Sequence, residues 1–146
     1  MKRLILSLAL VVAAVMGLSA SGKYAHDASV LPEAARATIA ANFKAKVSVV
    51  KIDKDFGRIS EYEAVLSDGS EIDFDRAGNW KSVETNRAVS VPSGFVAEPI
   101  KEFVRSKHPG TKIVGVEKKR GGYEIDLSNG IDIRFDSEGQ FVRYDD

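Results

Sequence analysis

The sequence contains no cysteine, only two histidines, one tryptophan and four prolines. Without thiols there is no disulfide staple, no thiolate nucleophile, no Cys-ligated zinc and no iron–sulfur cluster, so stability has to come from burial. An excess of charge is missing too: 21 basic residues balance 21 acidic ones. No net field draws the chain toward phosphate backbones or an anionic membrane, and nucleic acid is not an expected partner. Catalytic signatures are equally scarce. No Gly-x-Ser-x-Gly occurs, and Gly121-Gly122 reads as a turn, since nothing like Gly-x-Gly-x-x-Gly opens a helix. His26 lies in a polar lead-in and His108 at a helix end, where the dipole favours an imidazolium; neither has a triad context. Carboxylates such as Glu61 and Glu63 are plentiful, yet they fall on outward strand positions, exposed and with no evident cause for a raised pKa. The expectation is a protein that is not an enzyme and carries no cofactor.

What the sequence does have begins at its N-terminus. Lys2 and Arg3 precede the apolar run from Leu4 to Leu18, and Ser19-Ala20-Ser21-Gly22 follows, the order of a secretory signal peptide. The run is shorter than the roughly 20 residues that span a bilayer, and no cysteine is available to accept a lipid. Residues 1–22 are therefore read as cleaved, leaving a periplasmic or secreted chain with no membrane span.

The remainder is organised around one stretch that occurs twice. Tyr62 to Trp80 reappears 61 positions later as Tyr123 to Phe141, and both copies carry Tyr-Glu-x-x-Leu-Ser-[Asp/Asn]-Gly-x-x-Ile-x-Phe-Asp-x-x-Gly. Leu31, Ala35, Ile39 and Phe43 recur every four residues and predict a helix with Pro32 and Glu33 in its first turn. Val47 to Lys54 is β-branched and predicts a strand, closed by the turn Asp55-Phe56-Gly57-Arg58. Tyr62, Ala64 and Leu66 alternate with Glu61, Glu63 and Val65, and Ile72 and Phe74 with Glu71, Asp73 and Asp75, giving a half-buried antiparallel hairpin. Leu66 must share a face with Ile72, so a bulge or three-residue loop is expected at Asp68-Gly69, and again at Asn129-Gly130. Asp75 to Gly78 suits a type I turn closed by a left-handed glycine that places Trp80 opposite Phe74.

The same order returns with Val96, Ile100, Phe103 and Val104 on a second helix, a strand from Lys112 to Lys119, and a second meander. The fold class is thus α+β: two tandem α-β-β-β-β units, with helices packed on one face of antiparallel sheet. The boundaries are a flexible lead-in at 23–30, the first unit at 31–84, a linker at 85–95 and the second unit at 96–146.

A sheet covered on one side leaves its other face open. Simple alternation places Glu61, Glu63, Val65, Glu71, Asp73, Lys81 and Val83 outward in the first unit, and Glu124, Asp126, Asp132, Arg134, Val142 and Tyr144 outward in the second. One reading is a solvated face with ion pairs such as Asp73 with Lys81. The other is a protein-binding patch, because Val65, Val83, Val142 and Tyr144 are apolar where charge would serve. The candidate partner-binding residues are Glu63, Asp73, Lys81, Val83, Asp126, Arg134, Val142 and Tyr144, facing an unidentified envelope protein.

Two alternatives stand beside this. Asp73 to Glu84 matches calcium-loop spacing through Asp73, Asp75, Gly78 and Glu84, although Ala77 removes one ligand and a β-turn explains most of the pattern. A small ligand could instead occupy an apolar pocket between helices and sheet. Trp80 and Phe141, at equivalent positions, are expected to pack inward.

The doubled run, each copy led by a helix and a lysine-bearing strand (Lys46-Val47 and Lys112-Ile113), resembles the PepSY-like, β-lactamase-inhibitor-like family of periplasmic proteins typical of Bacteroidetes. The resemblance spans about Leu31 to Asp146. It implies tandem α+β units in which helices back an antiparallel sheet, and it carries over no catalytic residues.

Overall fold

The computed structural model describes residues 24–145; the stretch read as a signal peptide, 1–22, lies outside the described residues. Nine strands form one sheet, every neighbouring pair antiparallel and in chain order. They are β1 (Tyr24–Ala25), β2 (Val47–Asp55), β3 (Arg58–Leu66), β4 (Glu71–Asp75), β5 (Trp80–Glu84), β6 (Ile113–Lys119), β7 (Gly122–Leu127), β8 (Asp132–Asp136) and β9 (Phe141–Asp145). Helices α1 (Glu33–Asn42) and α2 (Glu98–Lys107) precede β2 and β6 respectively. The α+β class stands as expected, and in chain order each helix is followed by four strands. The two halves share this one sheet, because β5 pairs directly with β6 through Ser82–Glu117, Val83–Val116 and Glu84–Gly115.

Both helices start as the sequence dictates. Pro32 caps α1 and Glu33 opens it, while α2 has Glu98 and Pro99 in its first turn and Arg105 and Lys107 in its last, charges that oppose the helix dipole at each end. Ala35 and Ile39 of α1, and Ile100 and Val104 of α2, are buried in the same apolar cluster as Tyr62, Leu66, Ile72, Phe74, Ile125, Leu127, Ile133 and Phe135. One core therefore runs beneath both helices. Phe74 and Phe135 lie in this core with no exposed surface.

Segments read as connectors contribute more than expected. In the lead-in, Tyr24 and Ala25 pair with Lys51 and Val50. In the linker, Val91 and Phe95 join the core, Phe95 meets Trp80 edge to face at 5.2 Å, and the Val91 amide donates to the Ile113 carbonyl at 2.7 Å.

The turns explain the register. Ser67-Asp68-Gly69 is a three-residue loop in which the Leu66 amide bonds the Ser70 carbonyl, and Ser128-Asn129-Gly130 repeats it. Leu66 thus shares the core face with Ile72, as the pattern required, with Ser70 directly opposite. Asp75 to Gly78 forms the expected turn, Gly78 taking φ +90° and its amide bonding the Asp75 carbonyl at 3.0 Å. Bulges, however, interrupt alternation on β5 and β9: Asp73 faces Ser82 while Phe74 faces Trp80, and Arg134 faces Arg143 while Phe135 faces Phe141. Lys81 and Val142 are the extra residues, and each advances the in–out alternation by one. Val83 is consequently a core residue, 1% exposed, opposite Ile72. Tyr144 likewise lies on the helix side, its hydroxyl 3.0 Å from His108 Nε2 at the end of α2. Both corrections have one cause, a bulge that uniform alternation does not anticipate.

Candidate functional site

The open face can be read strand by strand from the pairing. One row runs Val49, Val65, Glu71, Glu84, Gly115, Asp126, Asp132, Asp145 across eight strands. Two valines at one end give way to acids, and no cation belongs to the row. The neighbouring row runs Lys51, Glu63, Asp73, Ser82, Glu117, Glu124, Arg134, Arg143. Cross-strand neighbours sit within reach of one another, so the acids of the two rows form one continuous band.

Gly115 shows how tightly the band is built. A Cβ at this position would lie 2.6 Å from Asp126 Oδ2 and 3.1 Å from Asp126 Cβ, so the absent side chain is what lets Asp126 lie over β6. The equivalent pair in the first half is Val49 opposite Val65, both buried.

Half-buried like charges raise each other's pKa. Burial, together with Glu63, Glu84 and Asp73, pushes Glu71 up to about 7. Burial, with Asp132, Glu124 and Glu84, pushes Asp126 to about 7 as well. Glu63 is raised by burial and by Asp73, and Glu84 by burial and Asp73 against the opposing charge of Arg87. Glu63 therefore departs from the expectation for outward carboxylates: it is half-buried, and burial and Asp73 raise its pKa.

The predicted site residues divide. Glu63, Asp73, Asp126 and Arg134 share the open face, with Ser82 Oγ donating to Asp73 Oδ2 at 2.8 Å and Arg134 Nη2 donating to the Arg120 carbonyl at 2.9 Å. Lys81 is bonded to Glu61 Oε2 at 2.7 Å. Val142 is exposed on its bulge, while Val83 and Tyr144 belong to the helix side. Glu71, Glu84, Gly115 and Asp132 were missing from the candidate set, although Glu71 and Asp132 were expected to face outward and Glu84 stood among the calcium ligands; the bulge at Lys81 is the feature that turns Glu84 outward.

Residues 73–84 are two strands and a tight turn, and Asp75 is engaged by that turn: its Oδ1 accepts from the Ala77 and Asn79 amides, each at 2.9 Å, and its Oδ2 from Asn79 Nδ2 at 3.1 Å. A different trio, Glu124, Asp126 and Asp132, has carboxylate oxygens within 4.8 Å of one another. Trp80 sits half-buried against Phe95 with Lys118 Nζ 3.9 Å from its ring centre, whereas Phe141, expected inside, is 41% exposed and stacks on Phe103 at 4.9 Å.

The family model described as "Putative beta-lactamase-inhibitor-like, PepSY-like" matches residues 60–143, from β3 to β9. A solved "putative periplasmic protein of unknown function" from Bacteroides vulgatus is 35% identical, with 84% of this chain and 98% of that one covered at a TM-score of 0.78. The chain belongs to the PepSY-like family. A "putative calcium-regulated periplasmic protein" from Bacteroides thetaiotaomicron is 28% identical over 82% of this PepSY-like chain and 94% of its own, with a TM-score of 0.75. Another "putative periplasmic protein" from Bacteroides vulgatus is 27% identical over 86% and 99%, with a TM-score of 0.74. Comparison with curated proteins gives no match. The compartment named for these relatives is the one expected from the N-terminal segment, and among the described residues no helix is long and apolar enough to cross a membrane.

Proposed function

We propose that this PepSY-like chain is a non-enzymatic periplasmic binding or inhibitor-like module that docks a basic protein surface across its open sheet face. One observation carries the reading: Glu71, Glu84, Asp126 and Asp132 stand in a single row without a cation, and burial together with the neighbouring acids pushes the pKa of Glu71 and of Asp126 up to about 7. Lysine or arginine from a partner would supply the missing charge and return those carboxylates to their ionised form, so complementarity selects a cationic surface. Capture of envelope proteins by the wild type and by Glu71→Lys/Asp126→Lys, at low and high salt, tests this. Salt-sensitive capture by the wild type alone is expected. Equal capture by two folded proteins would sink the assignment of the face.

A second reading rests on the trio Glu124, Asp126 and Asp132. Their oxygens suit a hard cation such as calcium, and one relative bears a calcium-regulated description. Calorimetry with calcium separates the two readings, because Asp126→Asn should abolish any heat if the trio is the site. The absence of heat from the wild type ends the calcium reading and leaves the first untouched.

A further inference from the structure

The sheet has two ends, and they are finished differently. At one end β1 covers β2 at Val50 and Lys51. At the other, β9 pairs only with β8 among the described residues, so its outer backbone amides and carbonyls face outward. Phe141, Val142 and Tyr144, on this strand, are 41%, 49% and 48% exposed. A bare edge with apolar side chains is a template for another strand.

The molecule contains its own precedent for what such an edge accepts. β5 holds the same place in the first half and carries the same kind of bulge, yet its outer edge pairs antiparallel with β6 over Ser82–Glu84, an apolar Val83–Val116 pair at the centre. The equivalents of Ser82, Val83 and Glu84 are Arg143, Tyr144 and Asp145. The bulge does not obstruct pairing on that side.

The geometry points to a second copy of this chain as the occupant, joined β9 to β9 about a two-fold axis through Tyr144. Antiparallel strands related by that axis place Tyr144 opposite Tyr144 on the helix side and Arg143 opposite Asp145 twice on the open side. Arg143 Nε and Asp145 Oδ1 already lie 2.6 Å apart within one chain, so both side chains stand on one face with opposite charge. Self-complementarity of this kind is what an isologous interface requires. The result is one continuous sheet across two chains, with the aromatic cluster of Phe103, Phe141 and Tyr144 brought together at the junction.

Sedimentation velocity of the full chain over a concentration series tests the dimer, with a melting curve confirming that each variant folds. The wild type should pass from monomer to dimer. Arg143→Asp and Asp145→Arg each set like charges opposite one another at two symmetric places, and each should weaken association about tenfold or more. Combining them restores opposite charges and should recover the wild-type constant to within about threefold. Tyr144→Lys, which puts two ammonium groups on the axis, should give monomer throughout. A wild type that stays monomeric at every concentration overturns the proposal. So does a dimer indifferent to both single reversals and to Tyr144→Lys, or a combined variant that remains as weak as the singles.

Discussion

β5 and β9 stand at equivalent places in the two halves, and their surroundings differ. On β5, Trp80 is covered by Phe95 from the linker and by Lys118 from β6, while Val83 pairs with Val116. On β9 the corresponding Phe141 and Tyr144 lie over α2 with much of their surface outward. The open face differs as well: Val49 and Val65 in the first half correspond to Gly115 and Asp126 in the second. What the halves share is the machinery of folding, namely Tyr62 and Tyr123, Leu66 and Leu127, Phe74 and Phe135, and the glycine turns. Residues that must fill the core or turn the chain match, and those that face outward are where the halves depart from each other.

The largest test of that division is the core itself. Phe74→Ala and Phe135→Ala each remove a ring with no exposed surface, and each should cost about 3–5 kcal/mol. Because one apolar cluster spans β5 and β6, denaturant unfolding of either variant should remain a single transition. Two separable transitions would show that the halves fold independently.

A smaller and more discriminating contrast lies in the glycines that close the β4–β5 and β8–β9 turns. Gly78 and Gly139 both have positive φ, +90° and +81°, so an alanine at either costs about 1–2 kcal/mol. At Gly78 the added Cβ would also lie 2.8 Å from Pro32 Cβ and 3.0 Å from the Ala35 amide nitrogen, whereas at Gly139 its nearest neighbour is Pro99 Cβ at 3.3 Å. Gly78→Ala should therefore exceed Gly139→Ala by about 1 kcal/mol or more, read from denaturant midpoints. Equal losses would mean that α1 yields as easily as α2.

How much of this was legible in the sequence follows from the kind of signal each feature emits. Helix spacing, the Asp-x-x-Gly turns and the alternation of Tyr62 to Phe74 are local patterns, and they placed the elements and the core. The three-residue loops were legible because only they put Leu66 on the face of Ile72. The bulges at Lys81 and Val142 were not: a bulge adds one residue without a composition of its own, and its effect surfaces only in the partner strand. It turned Val83 and Tyr144 to the other side and hid Glu84 from the open face. The acid row depends further on the pairing of β5 with β6, a contact between residues 31 or more apart in sequence that neither half specifies alone.

Whether the acid row behaves as one electrostatic unit across the two halves is the finest test. Glu71 lies in the first half and Asp126 in the second, both with pKa raised to about 7, and Glu84 contributes to each. Folding raises both values above the ordinary carboxylate range, so the folded chain binds these protons more tightly than the unfolded one. The resulting stability is complete below that range and is lost as pH rises through about 7. The wild type should accordingly melt higher at pH 5 than at pH 8. Solvent screening at these half-exposed sites limits the contribution to on the order of 1 kcal/mol each. Glu71→Gln/Asp126→Asn should flatten the profile and raise the pH 8 melting temperature. Glu84→Gln is the sharper variant: it leaves both groups in place but removes the charge between them, so both carboxyl titrations, followed by carbon-detected NMR, should move down together. If only Glu71 responds, the influence of Glu84 stops at the β5–β6 junction and the acid row is two separate clusters, one in each half.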